Sequence, residues 1–146
     1  TPYPLWSRGL GDVYKRQSVG DKIPDLVIEP ITRSTLALYA GASGDHNPIH
    51  IDLDFAKEAG MKDVFAHGML IMAYLGKAVT NIVPQSNLKN FSVRFSSITN
   101  IGDILTCSGE VKKIEKNNSK KTIVLDLIVS DEFGDIKISG VATIEK

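Results

Sequence analysis

Residues 67–83, HGMLIMAYLGKAVTNIV, restrict what this chain can fold into more than any other stretch. Apolar residues fall on every side of a helix drawn through them, and Lys77 and Asn81 are the only strongly polar interruptions. A helix that is hydrophobic all round is a buried one. At about 1.5 Å per residue it would run roughly 25 Å, the width of a small domain. Pro84 is expected to stop it. Most of its surface must be covered, so the remaining chain has to wrap it.

The C-terminal half supplies the cover. Phe91, Val93 and Phe95 alternate with Ser92, Arg94 and Ser96, as in a strand with one apolar face. Residues 104–114, 122–130 and 135–144 are β-branched segments, divided by turn signals at 102–103, 117–119 and 133–135. Such short turns predict an antiparallel meander. A curved antiparallel sheet around one apolar helix is the hotdog arrangement, an α+β fold. Continuation of that sheet into a second subunit would remove an exposed edge.

Before the helix, residues 25–29 (DLVIE) predict a short strand. Thr32 is a fair N-cap for a helix over 33–41, with Leu36, Tyr39 and Ala40 on its buried face. Gly41 and Gly44 are expected to break it. The loop that follows, SGDHNPIHID (43–52), packs two Asp, two His, an Asn and a Pro into ten residues. Pro48 holds Asn47 extended and keeps 45–48 from becoming helix. Asp52 can cap a short helix through Phe55 and Ala59, ended by Gly60.

At 146 residues the chain is expected to form one domain. Seventeen basic residues balance seventeen acidic ones, so no charge field draws in nucleic acid or anionic lipid. No apolar run approaches the roughly 20 residues needed to cross a bilayer. Cys107 is the only cysteine, which excludes an internal disulfide and suits a reducing cytoplasm. Residues 1–17 show no helical or strand period. Within them, SRGLGDVYKRQ resembles the translation of a sequencing-library adapter. The native protein is therefore expected to start near Ser18, with a single domain over 18–146.

Asp45 and His50 lie five apart in a Pro-stiffened loop, and a turn there can aim both side chains at one point. A carboxylate and an imidazole sharing one water can orient it and exchange a proton near neutral pH. Asp, Asn and Pro are also ordinary loop residues, so spacing alone leaves turn chemistry and catalysis both open.

The motif goes further. YAGASGDHNPIHID (39–52) followed by AHGML (66–70) resembles the MaoC-like (R)-specific enoyl hydratases and (R)-3-hydroxyacyl dehydratases. The match falls at Tyr39, Ala40, Ser43, Gly44, Asp45, Asn47, Pro48, Ile49, His50 and Asp52, and again at Ala66, His67, Gly68 and Met69. The resemblance implies that Asp45 and His50 form a catalytic dyad, and that the Gly68 N–H meets the substrate's thioester oxygen. Gly68 opens the buried helix, where unpaired donors and the positive dipole end favour an oxygen gaining charge. Having no side chain, it would also let a thioester approach closely.

Ser43, Asn47, His67, Met69, Met72 and Gly76 complete the candidate set, as loop-supporting or substrate-lining residues. Asn47 is expected to brace the loop, Asp52 to cap a helix, His46 to be exposed and Arg94 to lie on a solvated face. Some members carry a serine within the central helix; 67–83 contains none, so that role is not carried over.

The implied substrate is a coenzyme A or acyl-carrier-protein thioester, handled without cofactor or metal. The implied partner is a second hotdog subunit, identical or not. The wording NPIH and AHGMLIM leans toward dehydratase subunits that pair with a dyad-less partner. Two alternatives stand beside the hydratase reading. A non-catalytic hotdog subunit typically lacks the dyad, and hotdog thioesterases lack the SGDxNPxH block.

Overall fold

The computed structural model describes residues 17–146. The adapter-like segment therefore lies outside the described residues, apart from Gln17. The first strand, β1, spans Leu26–Ile28. Helix α1 spans Arg33–Ser43, with Thr32 Oγ1 accepting from the Thr35 N–H as the N-cap. Leu36 and Ala40 are buried on its inner face. Gly41 does not break this helix, which runs to Ser43; it ends at Gly44, where φ is 78°. That left-handed conformation suits glycine, and its N–H bonds the Ala40 carbonyl.

Pro48–His50 form one turn of 3₁₀ helix rather than plain loop. Proline is tolerated at that first position because the N–H it lacks would be unpaired anyway. Helix α2 spans Leu53–Glu58, and Asp52 caps it by accepting from the N–H groups of Asp54 and Phe55. Gly60, with φ of 87°, turns the chain away.

The central helix α3 spans Gly68–Thr80, shorter at both ends than the predicted 67–83. His67 is its N-cap and Asn81 its C-cap, so it ends before Pro84 can act. Leu70, Ile71, Leu75, Ala78 and Val79 are buried. The expectation of burial on all sides is corrected in the single chain: Met69 is 55% exposed, and Ala73 and Lys77 share its open side. This helix has one apolar face against the sheet and another facing outward.

Four longer strands follow: β2 Leu88–Phe95, β3 Leu105–Asn117, β4 Lys120–Ser130 and β5 Ile136–Glu145. Asn118 and Ser119 make a two-residue hairpin turn between β3 and β4, with Asn118 at φ 56°. The sheet is antiparallel in the order β1-β3-β4-β5-β2. β3, β4 and β5 form the predicted meander. β2 departs from it, pairing with β5 at the far edge, so residues 96–104 cross from one side of the sheet to the other.

One sheet face carries Leu105, Cys107 and Val111, then Ile123, Leu125, Leu127 and Val129, then Ile138, Ala142 and Ile144, all buried. This alternation is the period-2 pattern of a half-buried strand, and α3 packs across it. Bulges after Val111 and Val129 bend the strands. No helix among the described residues is long and apolar enough to cross a membrane.

Candidate active site

The site is built where the polar loop meets the start of α3. Ser43 begins the support: its hydroxyl donates to the Tyr39 carbonyl at 2.7 Å and accepts from the Asp45 N–H at 3.1 Å. Asp45 Oδ1 then accepts from the Asn47 N–H, and Asn47 Oδ1 from the Ile49 N–H. These side-chain-to-backbone bonds fix a loop that has no ladder of its own. Asp45 remains exposed, while His50 is nearly buried at 9% exposure.

His50 is held from the other side. Its Nδ1 lies 2.7 Å from the Phe65 carbonyl, and the Phe65 ring meets the imidazole edge-on at 5.1 Å. A carbonyl oxygen only accepts, so Nδ1 carries the hydrogen and Nε2 of the neutral ring keeps its lone pair. His67 takes the opposite tautomer. Its Nε2 lies 3.1 Å from the Asp45 carbonyl, so Nε2 donates, and Nδ1 is buried without a hydrogen-bond partner among the described residues. The two imidazoles stack at 3.9 Å, and Tyr39 closes on His67 edge-on at 4.8 Å. Burial pushes the His67 imidazole below its ordinary value; the nearby His50 adds to this, and the bond to Asp45 opposes it without reversing it.

Asp45, His50 and His67 each bring a polar side-chain atom within 4.8 Å of the other two. Two groups that share a water at about 2.8 Å each can stand up to roughly 5 Å apart, so the dyad spacing fits one water. A tetrahedral metal ion needs lone pairs converging on one point. Here one nitrogen of each stacked imidazole is committed to a carbonyl, which leaves each ring a single lone pair to offer.

Gly68 follows His67 as the first residue of α3, and His67 makes no side-chain capping bond. The first-turn N–H groups are thus not taken by the cap residue. Gly68 also borders a cavity of about 320 Å³ lined by Phe65, Ile71, Phe95, Ile98 and Lys137 among others. A Cβ on Gly68 would stand 3.0 Å from the Phe95 ring, so any larger residue there requires that ring to give way.

Met69, Met72 and Gly76 are not gathered here. None of the three borders this cavity, and the room left by Gly76 holds the Phe91 ring, 3.2 Å from where a Cβ would be. His46 is exposed, as is Arg94 on the outer sheet face. Sequence reasoning missed Phe65, Phe95 and Lys137. Phe65 contributes through its carbonyl, which no side-chain pattern reveals.

Residues 16–132 match the family described as MaoC like domain, well over half of the chain. The chain belongs to that family. As a MaoC-like domain it is 36% identical over 119 residues to the peroxisomal hydratase-dehydrogenase-epimerase of Neurospora crassa, covering 82% of this chain and 12% of that protein. It is 29% identical to the (R)-specific enoyl-CoA hydratase of Rhodospirillum rubrum, over 78% of each chain. Among solved structures, the unliganded (R)-hydratase PhaJ1 of Pseudomonas aeruginosa superposes with a TM-score of 0.78. That alignment has 28% identity over 90% of this chain and 83% of the other. The expected hotdog fold is thereby established. This MaoC-like chain spans about an eighth of the fungal protein and about four-fifths of the bacterial hydratase.

Proposed function

We propose that this chain is a hydro-lyase that interconverts trans-2-enoyl thioesters and (R)-3-hydroxyacyl thioesters in fatty-acid metabolism. The observation that carries the reading is the pinned tautomer of His50: Phe65 takes Nδ1–H, which leaves Nε2 as a base beside the Asp45 carboxylate. The kinship with a named (R)-specific enoyl-CoA hydratase supports it.

In hydration, a water held by Asp45 and His50 adds its oxygen to C3 of the enoyl group. The C2=C3 electron pair moves toward the thioester oxygen, where the Gly68 N–H and the α3 dipole stabilise the growing charge. The proton that leaves the water passes to the dyad and returns to C2, so one water adds overall. Dehydration runs the same path backward. Purified protein mixed with crotonyl-coenzyme A tests this: loss of enone absorbance without release of free thiol is expected. Thiol release without hydration would identify a thioesterase instead.

The working unit in this reading is a dimer of two such chains. β2 is an edge strand with one unpaired side, and Met69 and Ala73 leave the outer stripe of α3 apolar. A second copy covers both when two β2 strands pair. Mass measurement in solution at twice the chain mass is the expected result. A stable monomer, or assembly only with a different hotdog subunit, would replace it. The buried thiol of Cys107 fits a reducing compartment such as the cytoplasm.

A further inference from the structure

Lys137 breaks the pattern of its strand. It falls at the bulge where Val129 pairs with Ile138 and Ser130 with Ile136, and it is only 3% exposed. Its ammonium donates to the Ile98 carbonyl at 2.8 Å and to Asp135 at 2.9 Å, with Asp131 at 3.4 Å and Asp103 at 3.6 Å. Those partners fully occupy its donor capacity, so the ammonium is not free to meet a substrate although its stem borders the cavity beside Gly68. What it does is tie three stretches of chain together: the crossing segment 96–104, the 131–135 turn and β5.

The crossing segment leads straight to the site. Ser96 donates to the Lys137 carbonyl, and Asn100 to Asp103, one of the lysine's ion-pair partners. Between them the Thr99 carbonyl accepts from the Ala66 N–H at 2.9 Å, and Asn100 pairs with Phe65 as an isolated β-bridge. Phe65 is the residue whose carbonyl fixes the His50 tautomer. A backbone with no strand of its own is thus tied to β5 and the 131–135 turn by the Lys137 ammonium, together with the Ser96 N–H and the Ser97 hydroxyl. That hydroxyl lies 2.8 Å from Asp135 and 2.9 Å from the Ile136 carbonyl.

We infer that Lys137 is a positioning residue for the dyad, acting through residues 98–100 on the Phe65 carbonyl and so on the His50 imidazole. This rests on the hydratase reading for its kinetic consequence, but the effect on the imidazole does not. A shift of the anchoring carbonyl by a fraction of an ångström would free Nδ1 and let His50 exchange tautomers. Small misplacements of this kind lower rates by about ten- to a hundredfold.

The test compares wild type, Lys137→Met, Lys137→Arg and Asp135→Asn, each checked for folding by circular dichroism. Two readouts follow: kcat and KM for crotonyl-coenzyme A hydration, and the ¹⁵N imidazole spectrum of His50. Lys137→Met is expected to lower kcat about ten- to a hundredfold with KM nearly unchanged, and to raise the Nε2–H fraction of His50. Lys137→Arg restores most of both, because arginine keeps the charge and several donors. Asp135→Asn, at the exposed rim of the cluster, gives a weaker shift of the same sign and serves where Lys137→Met does not fold. A folded variant with wild-type kcat and a wild-type His50 spectrum would overturn the inference. Wild type with no hydratase activity would end the functional reading, while the imidazole spectra would still decide the positioning role.

Discussion

His50 and His67 stack ring on ring at 3.9 Å, and each gives its one N–H to a different backbone carbonyl. A proton added to either ring would sit against the other, and His67 is nearly enclosed at 1% exposure. Beside the N–H it donates, each ring has one nitrogen left, Nε2 on His50 and Nδ1 on His67, and such a nitrogen is what a general base requires.

Acid should weaken the fold in two stages. Burial holds His67 below its ordinary value in the folded state, so the unfolded chain binds the proton more readily. The stability due to keeping His67 neutral is whole above about pH 6.5 and is lost as pH falls through the depressed folded-state value. Asp131 and Asp135 are also held below the usual carboxylate range; backbone N–H bonds act on Asp131, and the Lys137 and Ser97 bonds on Asp135. Their contribution is present above about pH 3.9 and disappears below it. Denaturant midpoints measured against pH should fall first near pH 6 in wild type, with that first stage missing in His67→Asn.

Asp45→Asn and His50→Ala are expected to lower kcat by about 10² to 10⁴ each while the far-ultraviolet spectrum stays native. Asp45 is exposed, so its amide replacement leaves the packing unchanged. His50→Ala strands the Phe65 carbonyl and should also cost about 1–3 kcal/mol of stability. Steady-state rates and denaturant melts on the same samples separate the two effects.

Gly68→Ala should act on activity more than on stability. The new methyl meets the Phe95 ring at 3.0 Å, but that ring is half exposed and can swing aside. A stability change within about 1 kcal/mol is expected, together with a raised KM because Phe95 is pushed into the cavity it borders. Adding Phe95→Leu should recover much of the lost KM. Kinetics on the single and double variants check this.

Cys107 should be chemically silent until the sheet opens. Burial pushes its thiol up to about 12, and it sits wholly inside β3. Iodoacetamide at mildly alkaline pH should leave the native protein unmodified and label it fully in denaturant, as read by intact mass. Labelling of the native protein at the rate of a free thiol would contradict the burial.

The elements with regular periods were legible from sequence. Leu36 and Ala40, the alternating strands and the Thr32 and Asp52 caps all declare themselves through spacing and side-chain type. The ends of α3 were not, because the apolar run continues through Ile82 and Val83 as buried residues outside the helix. Burial and helicity separate there, and hydrophobicity reports only the first. The open stripe at Met69 was also hidden, since an apolar side chain reads like core whether or not its own chain covers it. Lys137 was invisible for the opposite reason: a lysine beside an acidic turn reads as solvent-facing until the structure closes three carboxylates around it. The dyad motif located Asp45 and His50, but the Phe65 carbonyl that sets the tautomer belongs to backbone.

The most direct measurement is the stereochemistry of the product that purified wild-type protein makes from a trans-2-enoyl thioester, run beside the Asp45→Asn and His50→Ala variants. A single (R)-3-hydroxyacyl product from wild type and none from either variant is the predicted result. A racemic or (S) product, or full turnover by a variant without its dyad member, would contradict the account.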